Sequence, residues 1–201
     1  MTGRLSAALA LIDAANAADP ADQAVTYGER MSAALQAFAP DAPEPLQIAA
    51  RAQHIERWRI PRSDYPEGRI GYLSWRKELQ KLHARRAGEI MALCGYEPED
   101  IARAAALLKK ERLKQDADAQ TLEDVICLVF LAFEAAPFIA KHDDGKVRDI
   151  LAKTARKMSP RGLEAAGRVP MGERLRRLLG EALASIFPSS RSGEGVSCES
   201  N

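Results

Sequence analysis

Apolar residues recur along most of this chain at three- and four-residue spacing, which is the signature of helices with one buried side. Leu5, Leu9 and Ile12, followed by Asn16, share one face of a helix predicted over 4–18 and ended by Asp19-Pro20. Met31, Leu35 and Phe38 do the same over 26–38. Pro40, Pro43 and Pro45 then break the pattern, because proline lacks the donor that a helix interior needs. Pro45 is suited to open a third helix, running through Leu46, Ile48 and His54 to Trp58. Residues 59–68 read as a polar loop with two prolines, and a long helix over 69–94 follows, with Gly95 as its left-handed cap. Pro98 starts a fifth helix that continues to about Lys110. Thr121 has the character of an N-cap, with Glu123 and Asp124 in the first turn behind it. The run Val125–Phe133 is apolar on all sides and predicts a buried central helix. Two more helices, 144–157 and 171–187, complete the pattern, and the serine- and glycine-rich residues 188–201 read as a disordered tail.

Composition narrows the fold. The 201 residues are 46% hydrophobic and 28% charged, as in a globular protein. Aromatics make up only 5%, while alanine recurs in runs such as Ala104-Ala105-Ala106, so a sheet-rich fold is disfavoured. The expectation is one all-α domain over 1–187, a multi-helix bundle of about seven or eight helices. Cys94, Cys127 and Cys198 have no C-x-x-C spacing and leave one unpaired, which fits free thiols in a reducing cytoplasm. The N-terminal run Ser6–Ile12 imitates a signal peptide, but Asp13 interrupts it and the helical spacing favours a packed helix. No run approaches the roughly 18 apolar residues of a spanning helix. No membrane association is expected.

A net charge of +1 conceals blocks. Residues 51–115 hold 15 basic and 9 acidic residues, 116–144 hold 1 and 7, and 145–180 hold 10 and 3. Basic helices could pair with acidic ones, or the basic blocks could form a concavity for an anion. Four of the eleven aromatics, Trp58, Tyr65, Tyr72 and Trp75, fall among Arg57, Arg59, Arg62, Arg69 and Arg76. Arginine forks grip phosphate or carboxylate, and aromatic faces stack; the alternative is a loop pinned by cation–π contacts. The cluster Lys109-Lys110-Glu111-Arg112-Leu113-Lys114 reads as a solvated helix end. The near-neutral total disfavours a dedicated nucleic-acid binder.

There are three histidines. His54 and His83 lie on separate apolar helices and could converge as an acid/base pair or as metal ligands, or each could be a core histidine. His142 reads as an exposed turn. No phosphate-binding glycine loop, G-x-S-x-G elbow or H-E-x-x-H pair is present. Lys157-Met158-Ser159 resembles part of a class I aminoacyl-tRNA synthetase loop, but no nucleotide-binding α/β pattern accompanies it, so that activity is rejected.

Several words in order resemble the DUF4202 family over roughly residues 5–180. They include Ile12-Asp13-Ala14-Ala15-Asn16, Ala50-Arg51-Ala52-Gln53-His54-Ile55, Gly71-Tyr72-Leu73, Gln120-Thr121-Leu122-Glu123-Asp124-Val125 and Lys153-Thr154-Ala155-Arg156-Lys157-Met158-Ser159. That family carries no assigned reaction. The order of helices is also similar to the HD phosphohydrolase superfamily, whose metal site uses a His, a His-Asp pair and a later Asp. His54 falls at the pair, but Ile55 replaces its aspartate. Tyr27 falls near the first histidine, Val129-Phe130-Leu131 stand at the last aspartate, and His83 resembles an additional histidine of such proteins. Asp13, Glu29, Glu123 or Asp124 would have to rebuild a metal site, so a divalent metal is weakly supported.

The resulting expectation is an HD-domain-like, hydrolase-like enzyme acting on a small phosphorylated or anionic metabolite. His54, His83, Glu123 and Asp124 would do the chemistry, and Arg57, Trp58, Arg62, Tyr72, Arg76, Lys153 and Lys157 would hold the ligand. The alternative is a non-catalytic module binding a small molecule, protein or RNA through a degenerate HD-type site.

Overall fold

The computed structural model describes residues 3–113 and 115–187. Among them are ten α-helices and no strand, so the all-α expectation holds while the helix count exceeds the seven or eight foreseen. The helices are α1 (Gly3–Asn16), α2 (Ala24–Phe38), α3 (Glu44–Arg51), α4 (Gly68–Leu93), α5 (Pro98–Leu108), α6 (Ala117–Val129), α7 (Ala135–Ile139), α8 (Asp144–Ala155), α9 (Pro160–Arg168) and α10 (Glu173–Ile186). No helix among the described residues is long and apolar enough to cross a membrane. The tail expected at 188–201 lies outside the described residues.

Two apolar clusters form the interior. In the first, Leu5, Ala8 and Ile12 of α1 meet Met31 and Leu35 of α2, Leu46 and Ile48 of α3, Met91 of α4, Leu107 of α5 and Val125 of α6. The α1 residues recur at three- and four-residue spacing and are almost fully buried, which is why a weakly apolar alanine-rich segment stays helical: packing stabilises it beyond propensity alone. In the second cluster, Leu131 and Ala135 pack with Val147 and Leu151 of α8 and with Leu175 and Leu178 of α10. Helix α6 contributes to both, through Leu122 and Val125 on one side and Cys127 on the other.

Four local expectations need correction. The third helix stops at Arg51 rather than Trp58, and the chain turns through Glu56, whose φ is +51°. Tertiary bonds hold that turn: the Glu56 N–H donates to Asn16 Oδ1 at 3.0 Å, and its buried carboxylate meets Arg86 Nε at 2.7 Å and Arg59 at 3.2 Å. Helix α6 starts at Ala117, where Asp116 accepts the N–H groups of Asp118 and Ala119, so Thr121 lies inside the helix. The central helix is interrupted by a π turn over Phe130–Glu134 before α7. Pro137 explains the interruption, since it has no N–H for an i−4 bond and its ring would crowd the Phe133 carbonyl in a regular helix. Helix α9, capped by Ser159 with Pro160 at its first position, was not anticipated, although that dipeptide is a readable start signal. Gly95 does adopt the left-handed cap, with φ +75°.

Candidate functional site

The loop between α3 and α4 is fastened to α4 and walls a cavity of about 680 Å³. Trp75 Nε1 donates to the Ile60 carbonyl at 2.8 Å, and Arg62 donates to the Tyr65 and Pro66 carbonyls at 2.7 and 2.9 Å. Gly71 allows the close approach, because a Cβ there would collide with the Pro66 backbone. The volume is that of a small-metabolite site. His54, Arg57, Trp58 and Arg62 line it, joined by Tyr27 and Arg30 of α2. Asp19, Asp22 and Glu134 bring carboxylates to the same cavity.

The two imidazoles do come together. Their ring centroids are 6.3 Å apart, and Tyr27 stacks on His54 at 3.7 Å with 13° between the planes. Thus Tyr27, placed near the first histidine by the HD resemblance, lies against His54. Burial is the main reason the His54 imidazole titrates well below 6.5, and the charges of Arg57, His83, Arg76 and Lys110 add to it. His83 is 4% exposed, and burial followed by the Arg57 charge pushes it down to about 3. Both rings are therefore neutral near pH 7. His83 sits behind His54 rather than in the cavity wall, and its Nε2 is buried with no hydrogen-bond partner among the described residues.

That orphan nitrogen has a consequence for stability. Below pH 6.5 the unfolded chain protonates His83 while the folded chain does not until about 3, so unfolding takes up a proton and stability falls as pH drops through that window. His83→Leu is expected to raise unfolding free energy by about 1 kcal/mol at pH 7, because it removes an unsatisfied buried polar atom. It should also flatten the fall toward acid, by up to about 1.4 kcal/mol per pH unit. Urea unfolding at pH 7 and pH 5 measures both, and an unaltered pH slope would refute this account.

Arg57 carries the positive end of the site. Its guanidinium lies over the Trp75 ring at 4.6 Å and, among the described residues, is ion-paired with no carboxylate. Burial lowers its affinity for its proton, Tyr27 partly offsets this, and Arg76 adds repulsion. Arg76 is likewise without an ion-paired carboxylate among the described residues, and its guanidinium lies 5.9 Å from the Tyr72 ring. By contrast, Arg30 is 3.5 Å from Glu134. The His54 carbonyl accepts the Arg57 N–H at 3.1 Å, while its imidazole makes no hydrogen bond within the described residues.

The other anticipated residues divide. Glu123 is buried and ion-paired with Lys110, with Lys157 Nζ at 3.7 Å. Burial alone would push its carboxyl up, but Lys110, Lys157 and Arg76 outweigh this and hold it low. Lys110 therefore belongs to a buried ion pair rather than to a solvated helix end, and it is held at φ +59°. Asp124 has a different occupation: Oδ1 accepts Ser159 N at 2.8 Å and Gln120 Nε2 at 3.1 Å, and Oδ2 accepts Ser159 Oγ at 2.6 Å. It fastens α6 to the start of α9. Tyr72 and Lys153 are exposed and do not line the cavity. Asp13 is paired with Arg51 at 2.7 Å, and Glu29 is exposed. His142 lies in a turn beside Phe138. Tyr27 and Arg30 escape a reading by local pattern, since on α2 they look like ordinary positions beside a buried stripe.

The pairing of basic with acidic blocks is realised. Arg103 pairs with Asp116 and Asp118, and Arg174 and Arg177 pair with Asp144. Arg57 and Arg76 are the basic residues beside His54 left without such a partner among the described residues. No three His, Cys, Asp or Glu side chains among the described residues are grouped to hold a metal ion. The donor set required by an HD-type metal site does not fit these residues.

No curated protein and no solved structure matches the chain. A family model described as a domain of unknown function, DUF4202, matches residues 6–179 and so spans both histidines and the whole cavity wall. The chain belongs to the DUF4202 family.

Proposed function

We propose that the cavity binds a small phosphorylated or otherwise anionic metabolite and that His54 serves there as the acid/base group of a hydrolase-like reaction. The observation that carries this reading is the convergence, on one cavity, of an Arg57 guanidinium with no ion-paired carboxylate and a His54 imidazole with no hydrogen-bond partner among the described residues. A half-buried cation without a counterion is costly, and an anionic ligand supplies the missing charge. The same ligand offsets the positive potential that holds His54 neutral, so bound anion and His54 proton affinity rise together. His83 acts behind it as a positioning group, and the Lys110 charge adds to the potential at His54. The HD-like order of helices remains part of this proposal, without the metal step of that superfamily. Cytoplasmic location is also proposed, supported by the free thiols Cys94 and Cys127.

A binding-only reading is favoured by one feature: an imidazole stacked under Tyr27 and held neutral among cations is a weak base until the ligand arrives. Screening phosphoesters and nucleotides for turnover, and in parallel for thermal stabilisation, separates the two. Enzyme activity should fall at least 100-fold in His54→Ala, the scale typical of a lost acid/base group. Stabilisation without turnover establishes the binding module. Neither turnover nor stabilisation, with no response to His54→Ala, refutes both.

A further inference from the structure

Resting on the anion-site reading, we infer that the ligand is an amphiphile, with one anionic head group in the cavity and a linear aliphatic tail in the apolar groove beside it. That groove encloses about 300 Å³ between α2, the stretch 128–133 and the end of α9. Ala34, Ala37, Val129, Phe133, Ala165 and Val169 stand in its wall. Among the described residues the one charged side chain there is Arg168, which is paired with Glu164. Phe133 lines the groove and the cavity alike, and 46% of its surface remains exposed. Helix α2 runs along both: Arg30, in the cavity wall, shares a helix face with Ala34 and Ala37 of the groove. The two spaces thus follow one line of about 16 Å, the rise of α2 from Tyr27 to Phe38.

The carboxylates of the cavity favour a single anionic group on the ligand. Asp19 is taken up by the N–H groups of Ala21, Gln23 and Ala24, at 3.0, 3.0 and 2.9 Å. Glu134 faces Arg30 at 3.5 Å, and the Arg30 guanidinium lies over the Phe133 ring at 4.3 Å. Asp22 is exposed and is ion-paired with no cation among the described residues. An anion therefore gains its partner at Arg57, while a second anionic group in the same cavity adds repulsion from Asp22 and Glu134. An uncharged tail brings no such cost. Laid across Phe133, it covers apolar surface that otherwise faces water, and that burial favours binding.

Ethyl phosphate and octyl phosphate, the latter below its micelle-forming concentration, are the probes for calorimetric titration of the full chain. Each buried methylene is worth about fourfold in affinity, so octyl phosphate should bind at least about 30-fold more tightly than ethyl phosphate. Octyltrimethylammonium, with the same tail and a cationic head, should bind far more weakly than octyl phosphate. Ala37→Trp fills the groove from an exposed position. It should remove most of the octyl advantage and leave ethyl phosphate binding unchanged, with Ala34→Leu as the second variant if the tryptophan alters the unfolding transition. Equal affinities for the two phosphates in the parent protein overturn this inference and leave the anion site standing. An octyl advantage that survives the filled groove, or octyltrimethylammonium binding as tightly as octyl phosphate, overturns it too. A ligand-free dimer that Ala37→Trp dissolves gives the groove to a second copy of the chain and excludes the tail. Binding of neither phosphate overturns the anion site as well.

Discussion

Replacing Asp124 with alanine is expected to lower unfolding free energy by about 2–4 kcal/mol, the scale of losing charge-assisted hydrogen bonds at a buried site. The carboxylate is 2% exposed and accepts from Ser159 N, Ser159 Oγ and Gln120 Nε2. Its loss strands the Ser159 amide and frees the hydroxyl that caps α9 through Gly162 N at 3.0 Å. The space is tight as well, since a Cβ at Gly162 would collide with the Asp124 carboxylate. The effect is large against a typical domain stability of about 5–15 kcal/mol. Chemical denaturation of Asp124→Ala measures it, and a midpoint matching the parent protein would show that this carboxylate anchors nothing. Because the same side chain was a candidate for chemistry, the paired measurement is ligand binding at a temperature where the variant is folded. An anchor lowers stability and leaves affinity within a few-fold.

Arg57→Ala is expected to behave in the opposite way. Affinity for an anionic ligand should drop about 10- to 100-fold, corresponding to one lost charged hydrogen bond of about 1.5–3 kcal/mol. Stability should hold or rise slightly, because the folded protein no longer desolvates a guanidinium that has no carboxylate partner. Arg57→Lys keeps the charge but loses the planar fork and its stacking over Trp75, so it should recover only part of the affinity. Titration of the three proteins with phenyl phosphate, together with their urea midpoints, checks each statement. Unchanged affinity in Arg57→Ala would remove the central support for the anion site. A large loss of stability would instead make Arg57 a fastener of the loop.

Much of the helical layout could be read along the chain, and the misses share a cause. The faces of α1, α2 and α4 and the cap at Gly95 depend on neighbours three or four positions away, so local spacing reveals them. The end of α3 was missed because Glu56 is held in its turn by Asn16 and Arg86, partners 40 and 30 residues distant. The π turn lies just ahead of Pro137, which stands beyond the apolar run 125–133 and acts back on it through the missing N–H. In the site, residue types marked side chains that the fold brings together: His54 and His83, and Arg57 over Trp75. Spacing did not tell which arginines keep a free fork.

Residue order was enough to specify an all-helical chain with one apolar stripe on most helices, and to mark His54, His83 and the basic aromatic loop as its chemical resources. Those properties are local, set by backbone periodicity and side-chain type. Only the folded arrangement decided that Tyr27 stacks on His54, that Lys110 and Lys157 neutralise Glu123, and that Asp124 serves as a fastener. Each of these outcomes is a competition for partners among groups far apart in the chain, and burial, which determines how much a charge gains from a partner, exists only once the helices have packed.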